Sequence, residues 1–254
     1  MKIPLNIFVK ESRILLNNFT NQTILVVGAS GYISSKLIVD LSQYECTIIR
    51  ASRNTAKLKS IDNIANIQDY EIDYKNEGFK KILQADAKRF DIGLIILSYE
   101  LFGFTEAMEE LLDLRIPIFK VGFNSISETK ETFVLLNDTK SYEQISPLIF
   151  DISSQLKTKT KVFDLDPIGD DDKTEILDHF ENLSKIFNQR LVIVSKEKNP
   201  IRKMKMQKNI LQIMPLKKAM FSKRYFFEFF YTNSDLLSFD INTFNQLLIP
   251  IVED

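Results

Sequence analysis

One cysteine and one histidine in 254 residues leave little room for thiol or metal chemistry. Cys46 alone cannot form an intrachain disulfide, which fits a reducing compartment. A lone histidine cannot supply the ligand set of a zinc site. His179 is also the only residue that could complete a Ser–His–Asp triad. It sits in the polar segment TEILDHFENLSKIF, where a solvated helix face is expected. No apolar run approaches the roughly 18 residues of a membrane span and no signal peptide is recognisable, so a cytoplasmic protein without a membrane span is expected. The net charge of −1 sets up no global field for a polyanion. Seven glycines and seven prolines mark no obvious linker, and neither an internal repeat nor a low-complexity segment is visible.

The composition that remains, 44% hydrophobic and 26% charged, is that of a globular domain long enough to bury a sizeable core. The most informative stretch is TILVVGASGYISSK, residues 23–36. A short apolar run, Ile24 to Val27, stops at Gly28, and an amphipathic helix opens near Tyr32. Strand, glycine turn and helix in this order open a dinucleotide-binding fold. Gly28 permits the tight turn, and Gly31 lets the backbone approach a pyrophosphate. Ser34, at the third position of G-x-x-G-x-x-S, is small enough for close helix–strand packing. The helix N-terminus offers N–H groups and a positive dipole end to the anion.

Strands and helices alternate from there. Strands are expected at 23–28, Cys46–Arg50, Ile67–Tyr74, Ile92–Leu97 and Ile116–Phe123, with helices at about 32–43, 76–88 and 104–114 and a short helix within 53–64. The run Ile92–Leu97 suits a parallel strand buried on both faces. After 125 the rhythm loosens. Ser146-Pro147 reads as a helix start reaching about 156. A strand is expected at Lys161–Leu165, a helix at about 173–187 and a strand at Leu191–Ser195. The carboxylates of Asp170, Asp171 and Asp172 suit a turn and a helix N-terminus better than a cation site, and no metal site is expected. The fold class is α/β, a Rossmann-like doubly wound parallel sheet, with a Rossmann domain over 1–164 and a small C-terminal lobe over 165–254 whose segments return to the sheet.

The order of these pieces resembles the extended short-chain dehydrogenase/reductases, the NAD-dependent epimerase/dehydratase family. VVGASGYISSKL is similar to the family's cofactor loop, IIRASRN to its second strand, EIDY to its adenine-contacting acid and FDIGLIILS to its fourth strand. IPIFKVGFNSIS is similar to the strand bearing the catalytic Ser/Thr, and VFDLDPIGDDD to the strand and turn that lead to the substrate lobe. The resemblance implies a cofactor site of Gly28, Ser30, Gly31, Tyr32, Ile33 and Leu97, with Asp73 at the adenine. Where an acid would select NAD(H), this chain has Arg50 and Arg53, and cations suit a 2′-phosphate, so NADP(H) is favoured over NAD(H).

The family's Tyr-x-x-x-Lys pair is missing. Only Tyr32 and Lys36 have that spacing, inside the cofactor-loop helix. Tyr142 is the best-placed substitute, with Ser125, or else Asn124 or Ser127, at the Ser/Thr position. Tyr99 stands where the family has a small residue, and Lys120 or Lys140 could replace the absent lysine. The resemblance therefore implies an atypical NADP(H)-dependent oxidoreductase or epimerase acting on a nucleotide-linked sugar, in surface polysaccharide synthesis. The alternative is a non-catalytic NAD(P)-binding regulator or scaffold.

Residues 190–224 carry eleven Lys/Arg against one acid, Glu197. This field suits a substrate pyrophosphate or a solvated face; Ile201, Met204, Met206 and Ile210 interleave as one amphipathic strand or helix. No nucleic-acid module is recognisable, and no nucleic-acid partner is expected. Seven aromatic residues among 221–231 suit a core or a homodimer interface.

Overall fold

The structure is a computed structural model. It describes residues 21, 23–42, 45–59, 66–72, 79–97, 114–122, 128–136, 141–164, 170–188, 192–194, 209–216 and 245–251. The chain packs as two compact units, Met1–Gly122 and Phe123–Asp254. Their boundary falls between Gly122 and Phe123, not between 164 and 165, where the sequence reading divides the chain.

In the first unit, β1 (Thr23–Val27), β2 (Thr47–Ser52), β3 (Asn66–Glu71), β4 (Ile92–Leu97) and β5 (Ile118–Lys120) run in the order β3-β2-β1-β4-β5. Every described pairing among them is parallel. Sequence decides which strand is central. The runs ILVV and IGLIIL are apolar at successive positions, and Ile24, Val26, Ile95 and Leu97 are all buried. Such strands need helices on both faces. NIQDYE has no fully buried residue, with only Ile67 and Tyr70 half-buried, and carries two acids, which suits its place at the edge. Helix α1 (Tyr32–Leu41) follows β1, a 3₁₀ turn (Thr55–Lys57) follows β2, and α2 (Phe79–Phe90) precedes β4. Asn54 caps the 3₁₀ turn, its side chain accepting from the Ala56 N–H at 3.0 Å. After α2, Asp91 takes φ 50°, the left-handed conformation that ends helices.

The second unit repeats this plan. Its strands β6 (Glu131–Leu136), β7 (Lys159–Asp164), β8 (Val192–Val194), β9 (Ile210–Leu216) and β10 (Asn245–Pro250) run β10-β9-β6-β7-β8, again parallel. Counted from its own first strand, that is the order of the first unit. The doubly wound α/β class therefore holds, and it holds twice. The stretch after 165 supplies three strands of the second array, and the repeat unseen in the sequence is one of topology.

Helix α3 (Ser141–Leu156) follows β6, and α4 (Asp170–Ile186) follows β7. Helix α3 starts before Ser146 and carries Pro147 inside it, exposed, so Pro147 does not mark its first turn. It ends in a Schellman turn: Lys157 takes φ 52°, and the N–H groups of Lys157 and Thr158 donate to the carbonyls of Ser154 and Ser153. Ile145, Ile149, Phe150 and Ile152 face the core, with Phe150 against Phe180 of α4. Among the described residues, no helix is long and apolar enough to cross a membrane.

Candidate functional site

In a doubly wound array the ligand crevice opens beyond the carboxyl ends of the strands, where the strand order reverses. In the first unit the chain steps outward from β1 to β2 and β3, then returns to the other side of β1 as β4. The reversal lies between β1 and β4, whose last residues, Val27 and Leu97, are register partners.

The glycine turn sits at that point. Gly28 has φ 73°, a left-handed conformation that is costly for any residue bearing a Cβ. The Ala29 N–H still donates to the Ala51 carbonyl at 3.0 Å, so the turn begins tied to β2. The Gly31 N–H donates to the Gly28 carbonyl at 2.9 Å and closes it. The Ser35 N–H donates to the Gly31 carbonyl at 2.9 Å, which makes Gly31 the first acceptor of α1. Ser30 is exposed on the turn, and its Oγ accepts from Ser52 Oγ at 3.1 Å. Ser52, buried at the end of β2, was not singled out in the sequence; its signal was a small hydroxyl ending the strand just before the exposed Arg53. Ser34 is buried, in keeping with the close packing asked of its position. Tyr32 and Ile33 open α1, whose first turn contains no acid to repel an anion.

The two arginines part company. Arg53 is exposed just past β2. Arg50 is 7% exposed and bound within the protein. Its Nε donates to Asp69 Oδ1 at 2.6 Å, Nη2 to Asp69 Oδ2 at 2.8 Å and Nη1 to the Lys59 carbonyl at 2.7 Å. Arg50 and Asp69 are register partners on β2 and β3, so this is a bidentate cross-strand pair. The turn thus fits a phosphate, whereas Arg50 already has a structural task and does not fit a 2′-phosphate. Sequence reasoning missed Asp69, because its placement opposite Arg50 depends on strand register.

Leu97 is buried at the end of β4. Lys120, its register partner on β5, is buried as well. Tyr142 lies in the first turn of α3, in the second unit. Asp73, Tyr99, Asn124, Ser125, Ser127, Lys140 and the aromatic stretch 221–231 lie outside the described residues, as does most of the basic stretch 190–224. His179 is not a solvated residue: it is half-buried, and Ser146 Oγ, fully buried on α3, lies 2.7 Å from its Nε2. Burial pushes the Cys46 thiol above its ordinary value. Among the described residues no three His, Cys, Asp or Glu side chains group as a metal site.

No family model matches the chain, and no curated protein matches it. Solved structures do. A protein of unknown function from Pseudomonas aeruginosa PAO1 superposes with a TM-score of 0.59 at 10% identity, over 92% of this chain and 94% of that one. A protein described as a universal stress protein from Pseudomonas aeruginosa UCBPP-PA14 gives 0.58 at 11% identity, over 90% and 93%. A universal stress protein from Archaeoglobus fulgidus gives 0.53 at 12% identity, over 91% and 97%.

These neighbours overturn the resemblance to the short-chain dehydrogenase/reductases. With it fall the oxidoreductase or epimerase activity, the nucleotide-sugar substrate, the role in polysaccharide synthesis and the NAD(P)-binding regulator drawn from the same resemblance. The physical reason lies in what the matching segments encode. A glycine turn between strand and helix, followed by alternating β and α segments, is shared by doubly wound folds at large. The family's chemistry resides in Tyr-x-x-x-Lys, and here only Tyr32 and Lys36 have that spacing, inside the helix that follows the glycine turn. From residue 131 onward, moreover, five described strands form a second parallel array. At these identities the likeness shows the fold alone: a doubly wound α/β architecture.

Proposed function

We propose that this chain is a universal-stress-protein-like nucleotide-binding protein of the cytoplasm, whose first unit holds the phosphates of a nucleotide over the Gly28–Gly31 turn. One observation carries the reading: a left-handed glycine turn opening a helix at the β1/β4 reversal, with no acid in that helix's first turn. There the N–H groups of the first helical turn, which lack intrahelical acceptors, meet an anion along with the positive end of the helix dipole. Ser30 adds a hydroxyl. Among dinucleotides the preference for NADP(H) over NAD(H) rests on Arg53 alone, because Arg50 is held by Asp69. A buried single cysteine supports the cytoplasmic placement. A homodimer belongs to the same proposal.

Calorimetric titration of the full chain with ATP, ADP, NADPH and NADH, on wild type and Gly28→Val, tests this. The expected result is binding of at least one of these by wild type and a loss of tenfold or more in Gly28→Val. Failure of all four to bind refutes the proposal, as does unchanged affinity in a folded Gly28→Val.

A further inference from the structure

In the second unit, β9 carries one polar residue, Gln212, amid apolar ones, and β10 opens with two buried polar residues, Asn245 and Gln246. Gln212 lies within ILQIMPL and Gln246 within NQLLIP, and the two are register partners. Both are buried, Gln212 completely. Gln246 Nε2 donates to Gln212 Oε1 at 2.5 Å. The other halves of the two amides, Gln212 Nε2 and Gln246 Oε1, are buried without a hydrogen-bond partner among the described residues. Beside them in register is Phe133 of β6, with the Lys161 ammonium 5.1 Å from its ring centroid. Lys161 in turn pairs with Glu131 at 2.6 Å, so these ionic groups are committed to each other.

A buried donor and a buried acceptor left open on one hydrogen-bonded pair of side chains are rare in folded proteins, because each forfeits its hydration without return. The smallest species that accepts from an N–H and donates to a carbonyl is water. Internal waters occur where otherwise unsatisfied buried polar groups converge. We infer that Gln212 and Gln246 form an internal water site, in which one water accepts from Gln212 Nε2 and donates to Gln246 Oε1, closing a ring of hydrogen bonds across β9 and β10. The site also selects the register of the two strands. A slip of two residues keeps every side chain on its own face but sets Gln212 against Phe244 or Leu248, stranding both amides.

Two measurements on the full chain test the site. In wild type, the side-chain NH₂ of Gln212 should show a nuclear Overhauser cross-peak to a long-lived water, and Gln246→Leu should abolish it. In urea unfolding, Gln212→Leu and Gln246→Leu should each shift the unfolding constant of the second unit roughly 5- to 100-fold toward the unfolded state. The double variant should return to wild type or beyond, because no amide then remains stranded. Absence of the cross-peak in wild type, which needs no variant to fold, overturns the water site. Additive losses in the double variant overturn the pairing role.

Discussion

Removing Asp69 should cost the first unit more than its surface position suggests. The Asp69 side chain is 40% exposed, but that of its partner Arg50 is only 9% exposed. Asp69→Ala deletes both halves of the bidentate contact and leaves a buried guanidinium whose remaining donation described here goes to the Lys59 carbonyl. Breaking a fully buried pair by removing one partner costs about 3–5 kcal/mol. Exposure on the Asp69 side admits water and screens the charge, which reduces the figure to about 2 kcal/mol. Arg50→Met/Asp69→Ala should cost less than Asp69→Ala, since no cation is then stranded. Cys46 allows the first unit to be followed by itself: it is the chain's single cysteine, is buried, and directly precedes β2. Pulse labelling of this thiol across a urea series reports opening of that unit. A loss of about 2 kcal/mol corresponds to roughly 30-fold faster labelling where opening is at equilibrium. A rate within twofold of wild type would refute the structural task given to Arg50 and would free it again for a ligand.

Cys46 also predicts a pH dependence. Its thiol is pushed above the ordinary value of 9.0 by burial, so the native state holds the proton more tightly than the unfolded chain does. This contribution to stability is therefore complete below about pH 9 and is lost as pH rises through the folded value. Urea midpoints at pH 8, 9 and 10 should fall more steeply for wild type than for Cys46→Ala, and equal slopes would contradict the effect. Ser146→Ala removes the link from α3 to His179 on α4 and should cost about 1 kcal/mol. The His179 ring resonances should shift with it; an unchanged ring spectrum would show that the contact contributes nothing in solution.

How far the sequence could be read depended on whether the signal was local. The boundaries of β4, Ile92 and Leu97, follow directly from an apolar run between polar residues. Helix α1 and the Gly28 turn follow from a glycine ending a strand. Strand β6 was missed because ETFVLL sits in a stretch where glycine, proline and periodic polarity give no bounds. Pro147 misplaced the start of α3, since a proline tolerated inside a helix looks like one that opens it. The duplication of the fold was not legible at all. The connection after β1 is Gly-Ala-Ser-Gly and that after β6 is Asn-Asp-Thr-Lys, so the two units share a strand order and not a motif. Of the candidate site, the turn was visible; the Ser52 and Asp69 contacts were not, because each joins segments that only the register of β2 brings together.

The strand order of the first unit has a consequence for how the protein is made. Its five described strands come from residues 23–120, and of these the middle one, β1, is synthesised first. When Lys120 clears the ribosome, each of these strands already has its described parallel neighbours within the unit. The nascent chain can thus bury the ILVV and IGLIIL runs while residues beyond 122 are still being translated, which shortens the time these sticky segments spend exposed.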